Sequence, residues 1–374
     1  MKTFMLLLAA GCAIETGETS DNIVGGTPMD LQAVVQWGGC TGTFINPHYI
    51  LTAAHCLPQC KTASQTACWD GSGLAPWGAT YTGRDGAYSG KATDGLFPGT
   101  ANGNSYTIDF VHFPQPGQFV NAQPDIALLH TSTAFTGQPV EVMPSATVPT
   151  PGNLCSQYEG TWPWMVGFSD NAGSTVAERR IGSAGVECDI EAQGRAFKVD
   201  DGSRICKGDS GGPLMWRDPA GHYTVGGVAS YTDNYDNIFT DTQCPSPDGE
   251  SGYAFVARPF ISTLLPTLTV VPLGPGYGTV TSSAGGIACS GIATDCLEDY
   301  EVRTALTLTA TPATNQVFSG WSGACSGSAP TCTLTMWSDT TVSAKFCAAT
   351  DQCCRSGICG PPKCSPLAPH CQQQ

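Results

Sequence analysis

Short apolar runs, separated by glycine and proline, recur along most of the chain. Examples are Tyr49–Ala53, Val225–Ala229, Ala305–Ala310 and Thr341–Phe346. Runs of this length between turn-forming residues are typical of β-strands, whereas amphipathic helices need longer stretches with an apolar residue every three or four positions. The pattern therefore predicts an all-β protein built from many short strands.

Composition limits the number of domains and the kinds of partner. A chain of 374 residues can hold two or three domains, each able to bury a core. Only 13% of the residues are charged, against about 25% in typical soluble domains. The net charge is −15 and no basic cluster offsets it, which disfavours nucleic acids and anionic membranes as partners.

Changes in sequence texture divide the chain into five parts. Lys2 precedes the apolar run Phe4–Ala10, which is too short to span a bilayer and is typical of a signal peptide. A polar, acidic tether follows, then the longest segment, then a Thr/Ser/Gly-rich segment and a tail with six cysteines. The predicted divisions are 1–11, 12–22, 23–265, 266–346 and 347–374.

Nineteen cysteines indicate an oxidising compartment. The signal segment ends in Leu8-Ala9-Ala10-Gly11-Cys12, which resembles a bacterial lipoprotein signal and implies lipidation of Cys12. Removing Cys12 leaves eighteen cysteines, an even number. The alternative is an ordinary secretory signal with one spare cysteine. Either reading predicts a secreted or cell-surface protein, and the first adds a lipid-anchored precursor.

Four short motifs carry candidate chemistry. A serine hydroxyl is a poor nucleophile at neutral pH, so it needs an adjacent base, and that base needs an orienting partner. The motifs are Ile23-Val24-Gly25-Gly26, Thr52-Ala53-Ala54-His55-Cys56, Asp125-Ile126-Ala127-Leu128-Leu129 and Gly208-Asp209-Ser210-Gly211-Gly212-Pro213. Together they supply a serine, a histidine and an aspartate, and over residues 23–265 the chain resembles a trypsin/chymotrypsin-type serine protease.

The segment around Ser210 also fits G-x-S-x-G, the nucleophile elbow of α/β-hydrolases. That fold orders its triad as serine, acid, histidine. Here only His222 and His370 follow the serine, and no regular alternation of strands and helices supports that fold. The order histidine, aspartate, serine favours the chymotrypsin arrangement.

The resemblance implies a two-barrel fold and a role for each residue. Ser210 is the expected nucleophile, His55 the general base and Asp125 the group that orients the imidazole. The backbone N–H groups of Gly208 and Ser210 are expected to form the oxyanion hole. Neither a cofactor nor a metal is expected.

The resemblance also implies a zymogen. In the family, cleavage before the Ile-Val-Gly-Gly segment frees an α-amino group that pairs with the acid preceding the nucleophile. Here these two groups are Ile23 and Asp209. Asn22 stands before the cut, so the expected activating protease is not trypsin-like.

Specificity is less defined. The position that forms the floor of the S1 pocket in the family holds Arg204, which implies either a preference for acidic P1 residues or a shallow apolar pocket. Ser230-Tyr231-Thr232 matches the segment that pairs with substrate. The family has Trp where Tyr231 stands and Gly where Thr232 stands, which implies a narrower pocket.

The resemblance pairs Cys40 with Cys56 and Cys206 with Cys244. Proximity in the sequence favours three local disulfides, and one further pair is left by elimination. In the tail, fifteen connectivities remain open, and zinc is the alternative to disulfides there. The local pairs are Cys60–Cys68, Cys289–Cys296 and Cys325–Cys332; the remaining pair is Cys155–Cys188; the tail cysteines are Cys347, Cys353, Cys354, Cys359, Cys364 and Cys371.

Residues 267–346 are similar to the internalin B-type repeats of bacterial surface and secreted proteins, in a single copy. The residues that carry the likeness are Gly276–Thr281, Leu308–Pro312, Phe318–Trp321 and Val342–Phe346. A targeting or spacer role is expected for the C-terminal part. Two functions are weighed for the whole chain: an active endopeptidase, or a catalytically silent homologue that acts as a surface binding or adhesion protein.

Overall fold

The structure is a computed structural model, and its described part is almost entirely β-strand. The prediction of an all-β fold is confirmed. No helix in the described part is long and apolar enough to cross a membrane. The described residues are 27–28, 31–61, 66–69, 83–93, 103–114, 125–143, 160–168, 179–188, 196–202, 205–206, 208–217, 221–233, 250–256, 258–274, 277–290 and 295–351.

Six strands of the first half close into a barrel in the order β2-β3-β4-β9-β8-β7. The apolar run at Tyr49 forms β4, and β3 and β4 are buried along their whole length because the rest of the molecule covers their outer faces. Phe44, Ile50, Ile108 and Leu128 fill the barrel. The strands are β1 Thr27–Pro28, β2 Val34–Trp37, β3 Cys40–Asn46, β4 Tyr49–Thr52, β5 Cys68–Trp69, β6 Gly83–Arg84, β7 Gly86–Thr93, β8 Ser105–His112 and β9 Ala127–Thr131.

The second half forms an eight-stranded sheet whose main path is β1-β12-β11-β14-β15-β16-β13. An additional pairing of β12 with β13 joins six of these strands into a ring, the second barrel. Val166, Met215 and Val225 share one core with the first barrel, so the two barrels pack directly on each other. The strands are β10 Glu141–Val142, β11 Trp164–Gly167, β12 Arg180–Cys188, β13 Ala196–Gly202, β14 Pro213–Arg217, β15 Tyr223–Asp233 and β16 Glu250–Phe255.

A short helix, α1 (Arg258–Ile261), leads into a separate C-terminal module of two four-stranded sheets. The sheets run β20-β17-β24-β22 and β19-β18-β21-β23 and share a core that includes Val280, Leu308, Trp321 and Phe346. Trp337, in contrast, is 64% exposed. The strands are β17 Thr267–Leu273, β18 Gly278–Ser282, β19 Ala288–Ser290, β20 Leu297–Asp299, β21 Ala305–Pro312, β22 Gln316–Gly323, β23 Thr331–Thr335 and β24 Thr340–Ala348.

The module is docked against the barrels through polar contacts. Arg258 is 5% exposed, and its guanidinium donates two hydrogen bonds to the carboxylate of Asp299, one of them 2.6 Å from Nη1 to Oδ2. Asn46, in the first barrel, donates from Nδ2 to the Asp299 carbonyl at 3.2 Å. The N–H of Val302 donates to the Leu264 carbonyl at 2.8 Å. The module is therefore held against the barrels at several points.

Candidate active site

His55 sits in a short 3₁₀ helix, Ala54–Cys56, that begins directly after β4. Ala53 and Ala54 are completely buried, so the small residues before the histidine let the chain turn against the barrel core. The disulfide between Cys40 and Cys56 ties the end of this turn to the start of β3. The imidazole is thereby fixed at the edge of the first barrel, with 18% of its side chain exposed.

Asp125 precedes β9, and its side chain is 1% exposed. One carboxylate oxygen, Oδ1, accepts the backbone N–H of His55 at 2.9 Å, and the other, Oδ2, lies 2.6 Å from His55 Nδ1. Oδ2 also accepts the hydroxyl of Ser230 at 2.7 Å. A buried carboxylate is costly unless hydrogen bonds satisfy it, and here three do so.

The pKa of His55 is raised above its ordinary value of 6.5. Burial is the largest influence and lowers the pKa, but the negative charge of Asp125 and the hydrogen bond to it together outweigh burial. The same bond holds the proton on Nδ1 when the ring is neutral, so Nε2 is left with a lone pair. His55 is therefore arranged as a base at Nε2.

Ser210 is half-buried in a loop that enters β14. Its carbonyl accepts the N–H of Thr41 at 2.8 Å, and the N–H of the next residue, Gly211, donates to the Ala229 carbonyl at 2.8 Å. A Cβ on Gly211, whose φ is +82°, would lie 2.2 Å from Thr52 Oγ1, so a side chain does not fit there. The loop is therefore clamped between the two barrels.

These contacts bring the three predicted triad residues to one place. In the first barrel, the Ser210 carbonyl is hydrogen-bonded to Thr41. Thr41 follows Cys40, and the disulfide of Cys40 leads to Cys56, the residue after His55. In the second barrel, the N–H of Gly211 is hydrogen-bonded to the carbonyl of Ala229. The next residue, Ser230, donates its hydroxyl to Asp125. Within the described ranges, the Ser210 hydroxyl makes no hydrogen bond to the imidazole. Such bonds are often formed fully only when substrate is bound.

The loop contains Gly208 and Ser210, the two residues whose backbone N–H groups are predicted to bind the oxyanion. Gly208 has φ +103°, a conformation that favours glycine. Neither the Gly208 nor the Ser210 N–H has an acceptor within the part of the chain that the structure describes, so both donors remain available to an oxygen of a substrate. Two backbone N–H groups that converge on one oxygen stabilise an oxyanion, and this is the role predicted for the pair.

Asp209 is completely buried, and its Oδ2 accepts the N–H of Cys206 at 2.7 Å. Its carboxylate lies against Gly167, where a Cβ would be 2.0 Å from Oδ1. Burial first, and then the charge of Asp209, raises the pKa of Tyr253 well above its usual value. The predicted partner, Ile23, lies outside the described residues.

The predicted specificity residues are described only in part. Arg204, the predicted floor of the S1 pocket, lies outside the described residues. So do Cys12, the predicted lipidation site, and Asn22, which precedes the predicted activation cut. Tyr231 and Thr232 belong to β15, where their backbone pairs with β16. Their neighbour Ser230 was predicted only as part of a substrate-pairing segment, and the structure adds the hydrogen bond of its hydroxyl to Asp125.

Four of the predicted disulfides form: Cys40–Cys56, Cys60–Cys68, Cys289–Cys296 and Cys325–Cys332. Cys206 and Cys347 are also disulfide-bonded. The partner predicted for Cys206, Cys244, lies outside the described residues, as do Cys155 and the tail cysteines from Cys353 onward.

Cys40, Cys56 and His55 cluster closely enough to suggest a metal site, because their ligand atoms lie within 4.8 Å of one another. The two sulfur atoms are joined in a disulfide, however, so neither can bind a metal as a thiolate. This cluster therefore positions the histidine.

A pair of packed β-barrels with a histidine, an aspartate and a serine at their junction defines the trypsin-like serine protease fold. A sequence model of the family described as Trypsin matches residues 23–85 and 100–243, more than half of the chain, and the chain belongs to this family. A second model, described as a divergent InlB B-repeat domain, matches residues 274–350. A search of curated proteins returned no match.

Proposed function

We propose that the chain is a secreted or cell-surface serine endopeptidase that hydrolyses peptide bonds through an acyl-enzyme. One observation carries this proposal: the buried Asp125 carboxylate lies 2.6 Å from His55 Nδ1, beside the loop that holds Ser210. Proteins and peptides are the expected substrates of a protease domain.

The first half of the reaction forms the acyl-enzyme. Ser210 Oγ attacks the carbonyl carbon of the scissile bond, and its proton passes to His55 Nε2. Asp125 accepts the Nδ1–H and stabilises the imidazolium that forms. The N–H groups of Gly208 and Ser210 bind the oxygen that becomes negative, a contribution of about 3 kcal/mol for each donor in such sites. The imidazolium then protonates the leaving amine, the C–N bond breaks, and the acyl group stays on Ser210.

The second half releases the acyl group. A water molecule gives a proton to His55 Nε2 as its oxygen attacks the acyl carbon, and the same two N–H groups bind the second oxyanion. The imidazolium then returns its proton to Ser210 Oγ as the ester bond breaks. The base must be neutral at both attacks, so activity falls as the pH drops below the raised pKa of His55.

The burial of Asp209 supports activation by cleavage before Ile23. A buried carboxylate is stabilised by a nearby cation, and the α-ammonium of Ile23 supplies one once a protease has cut after Asn22. With Cys12 lipidated, the precursor is held at the membrane and this cut releases the catalytic part. Arg204 at the S1 floor then favours acidic P1 residues.

Labelling with a fluorophosphonate probe tests the proposal. The probe reacts with a serine only when a base activates it, so chain matured at Ile23 is expected to be labelled and Ser210→Ala to remain unlabelled. Mass spectrometry of the labelled peptide identifies the modified serine. A folded, matured chain that takes no label would overturn the proposal and would favour the silent homologue that acts as a surface binding protein.

A further inference from the structure

Thr41 is the second residue of β3 and is completely buried between the barrels. It follows Cys40, so the disulfide to Cys56 holds it close to His55. None of the four catalytic motifs in the sequence includes it. It nevertheless contacts the nucleophile loop with both its backbone and its side chain.

Thr41 makes four hydrogen bonds. Its N–H donates to the Ser210 carbonyl at 2.8 Å, and its hydroxyl donates to the Gly208 carbonyl at 2.8 Å. The same hydroxyl accepts the N–H of Phe168 at 3.2 Å. Its carbonyl accepts the hydroxyl of Thr52 at 2.8 Å. The hydroxyl of Thr41 is thus used both as donor and as acceptor, which valine cannot reproduce.

These bonds fix the peptide planes on both sides of a predicted oxyanion donor. The Ser210 N–H belongs to the peptide unit between Asp209 and Ser210. Thr41 holds the carbonyl of the preceding unit through its side chain and the carbonyl of the following unit through its backbone. A rotation of the loop that turned the Ser210 N–H away would therefore break a bond to Thr41.

We propose that Thr41 is a positioning residue that keeps the nucleophile loop in the conformation able to bind the oxyanion. The predicted effect of Thr41 on kcat rests on the proposed function. Its predicted effect on the conformation of the loop rests on the hydrogen bonds alone. Misaligning a donor costs less than deleting it, so the expected loss in kcat for Thr41→Val is about tenfold, below the full loss for a missing oxyanion donor.

Thr43 offers a matched control. It lies two residues further along β3, is 1% exposed, and its hydroxyl has no hydrogen-bond partner among the described residues. Thr43→Val makes the same chemical change in the same strand but removes no contact to the loop. Thr41→Ser keeps the hydroxyl and is expected to restore most of the lost kcat.

The experiment compares steady-state kinetics of the matured full chain and the three variants. Thr41→Val is expected to lower kcat with KM unchanged, while Thr43→Val and Thr41→Ser stay near the unsubstituted chain. If kcat of Thr41→Val equals that of the unsubstituted chain, the positioning role is wrong and the protease assignment is unaffected. The same holds if Thr41→Val and Thr43→Val lose equal amounts of kcat.

Amide hydrogen exchange supplies a readout that does not need activity. In Thr41→Val the N–H of Phe168 loses its acceptor. The Gly208 carbonyl loses its donor, and the N–H of Asp209 belongs to the same peptide unit. Both N–H groups are therefore expected to exchange faster than in Thr43→Val. The Gly211 N–H, in a unit held by the Thr41 backbone, is expected to keep its protection. An inactive unsubstituted chain would overturn the proposed function alone, whereas unchanged exchange at Phe168 and Asp209 would overturn the positioning role.

Discussion

The two-barrel region and the C-terminal module bury different kinds of residue. Within the described ranges, every buried polar or charged residue lies between Thr41 and Arg258, and Asp125 and Asp209 are among them. The core of the module is built from apolar residues and cysteines. Buried polar groups cost free energy unless they are paired, so a region that keeps them invites a functional explanation. This difference agrees with the proposal that the catalytic site lies in the barrels.

The contact between the barrel region and the module also contains buried polar groups, although it lies outside the candidate active site. Arg258 is buried at the end of the barrel region, and its partner Asp299 belongs to the module. The hydroxyl of Ser262, which follows α1, donates to Asp339 of the module at 3.1 Å. Polar groups here link two packed units, so they are expected to support stability, whereas those around Asp125 are expected to support catalysis.

Asp125→Asn tests the catalytic side of this comparison and has the largest expected effect. The amide cannot hold His55 in the required tautomer or stabilise the imidazolium, so kcat is expected to fall about 10⁴-fold. The pKa of His55 should also fall, because burial lowers it and the charge that outweighs burial is gone. The acid limb of the remaining activity, measured as kcat/KM against pH, therefore moves to lower pH.

Glu141→Gln is the control for this variant, because it removes a carboxylate from an exposed position in the barrel region. Its kcat and its acid limb should match those of the unsubstituted chain. An acid limb that stays in place in Asp125→Asn would show that this carboxylate does not set the pKa of His55.

Asp299→Asn tests the structural side. The change leaves the buried Arg258 guanidinium without its charged partner, and breaking a buried ion pair from one side costs about 3 kcal/mol or more. The loss should appear as a lower midpoint of urea unfolding, with kcat unchanged below that midpoint. Asp339→Asn, at an exposed position, is expected to lose less.

A double variant separates loss of the pair from loss of packing. Arg258→Met combined with Asp299→Leu replaces the pair by apolar groups and is expected to recover most of the stability lost in Asp299→Asn. An unfolding midpoint in Asp299→Asn equal to that of the unsubstituted chain would show that the two regions do not depend on this contact.

The sequence predicted the strands and the triad for different reasons. The apolar run Tyr49–Ala53 covers β4 and extends one residue beyond it, and Val225–Ala229 lies within β15. Both runs predicted strands because a buried strand needs consecutive apolar residues, which is a local requirement. The triad residues were found through their motifs, since the chemistry requires those residue types in that chain order. Both signals can be read from neighbouring positions.

The contacts that were missed join residues far apart in the sequence. Thr41 meets Gly208 across 167 positions, and Ser230 meets Asp125 across 105. A threonine in a strand and a serine in a strand carry no sign of their partners, because only the packing of the two barrels decides which hydroxyl meets which loop. The docking of the module through Arg258 and Asp299 was hidden in the same way, since both look like ordinary surface charges in the sequence.

Ser230→Ala has the smallest expected effect and asks whether the barrel region depends on each of its buried hydrogen bonds. The hydroxyl stabilises the Asp125 carboxylate, and a bond to a charged group contributes about 1.5 to 3 kcal/mol, part of which is recovered when water or a shifted side chain replaces it. We therefore expect kcat/KM to fall about tenfold.

Ser230→Ala also changes the pH dependence. With one donor fewer, the Asp125 carboxylate attracts the imidazolium more strongly, so the pKa of His55 rises further. The acid limb then moves to higher pH, opposite to Asp125→Asn. Ser262→Ala, which removes a hydroxyl from the exposed Asp339, should leave kcat/KM unchanged. If Ser230→Ala moves the acid limb to lower pH, the hydroxyl acts on His55 by some route other than this carboxylate.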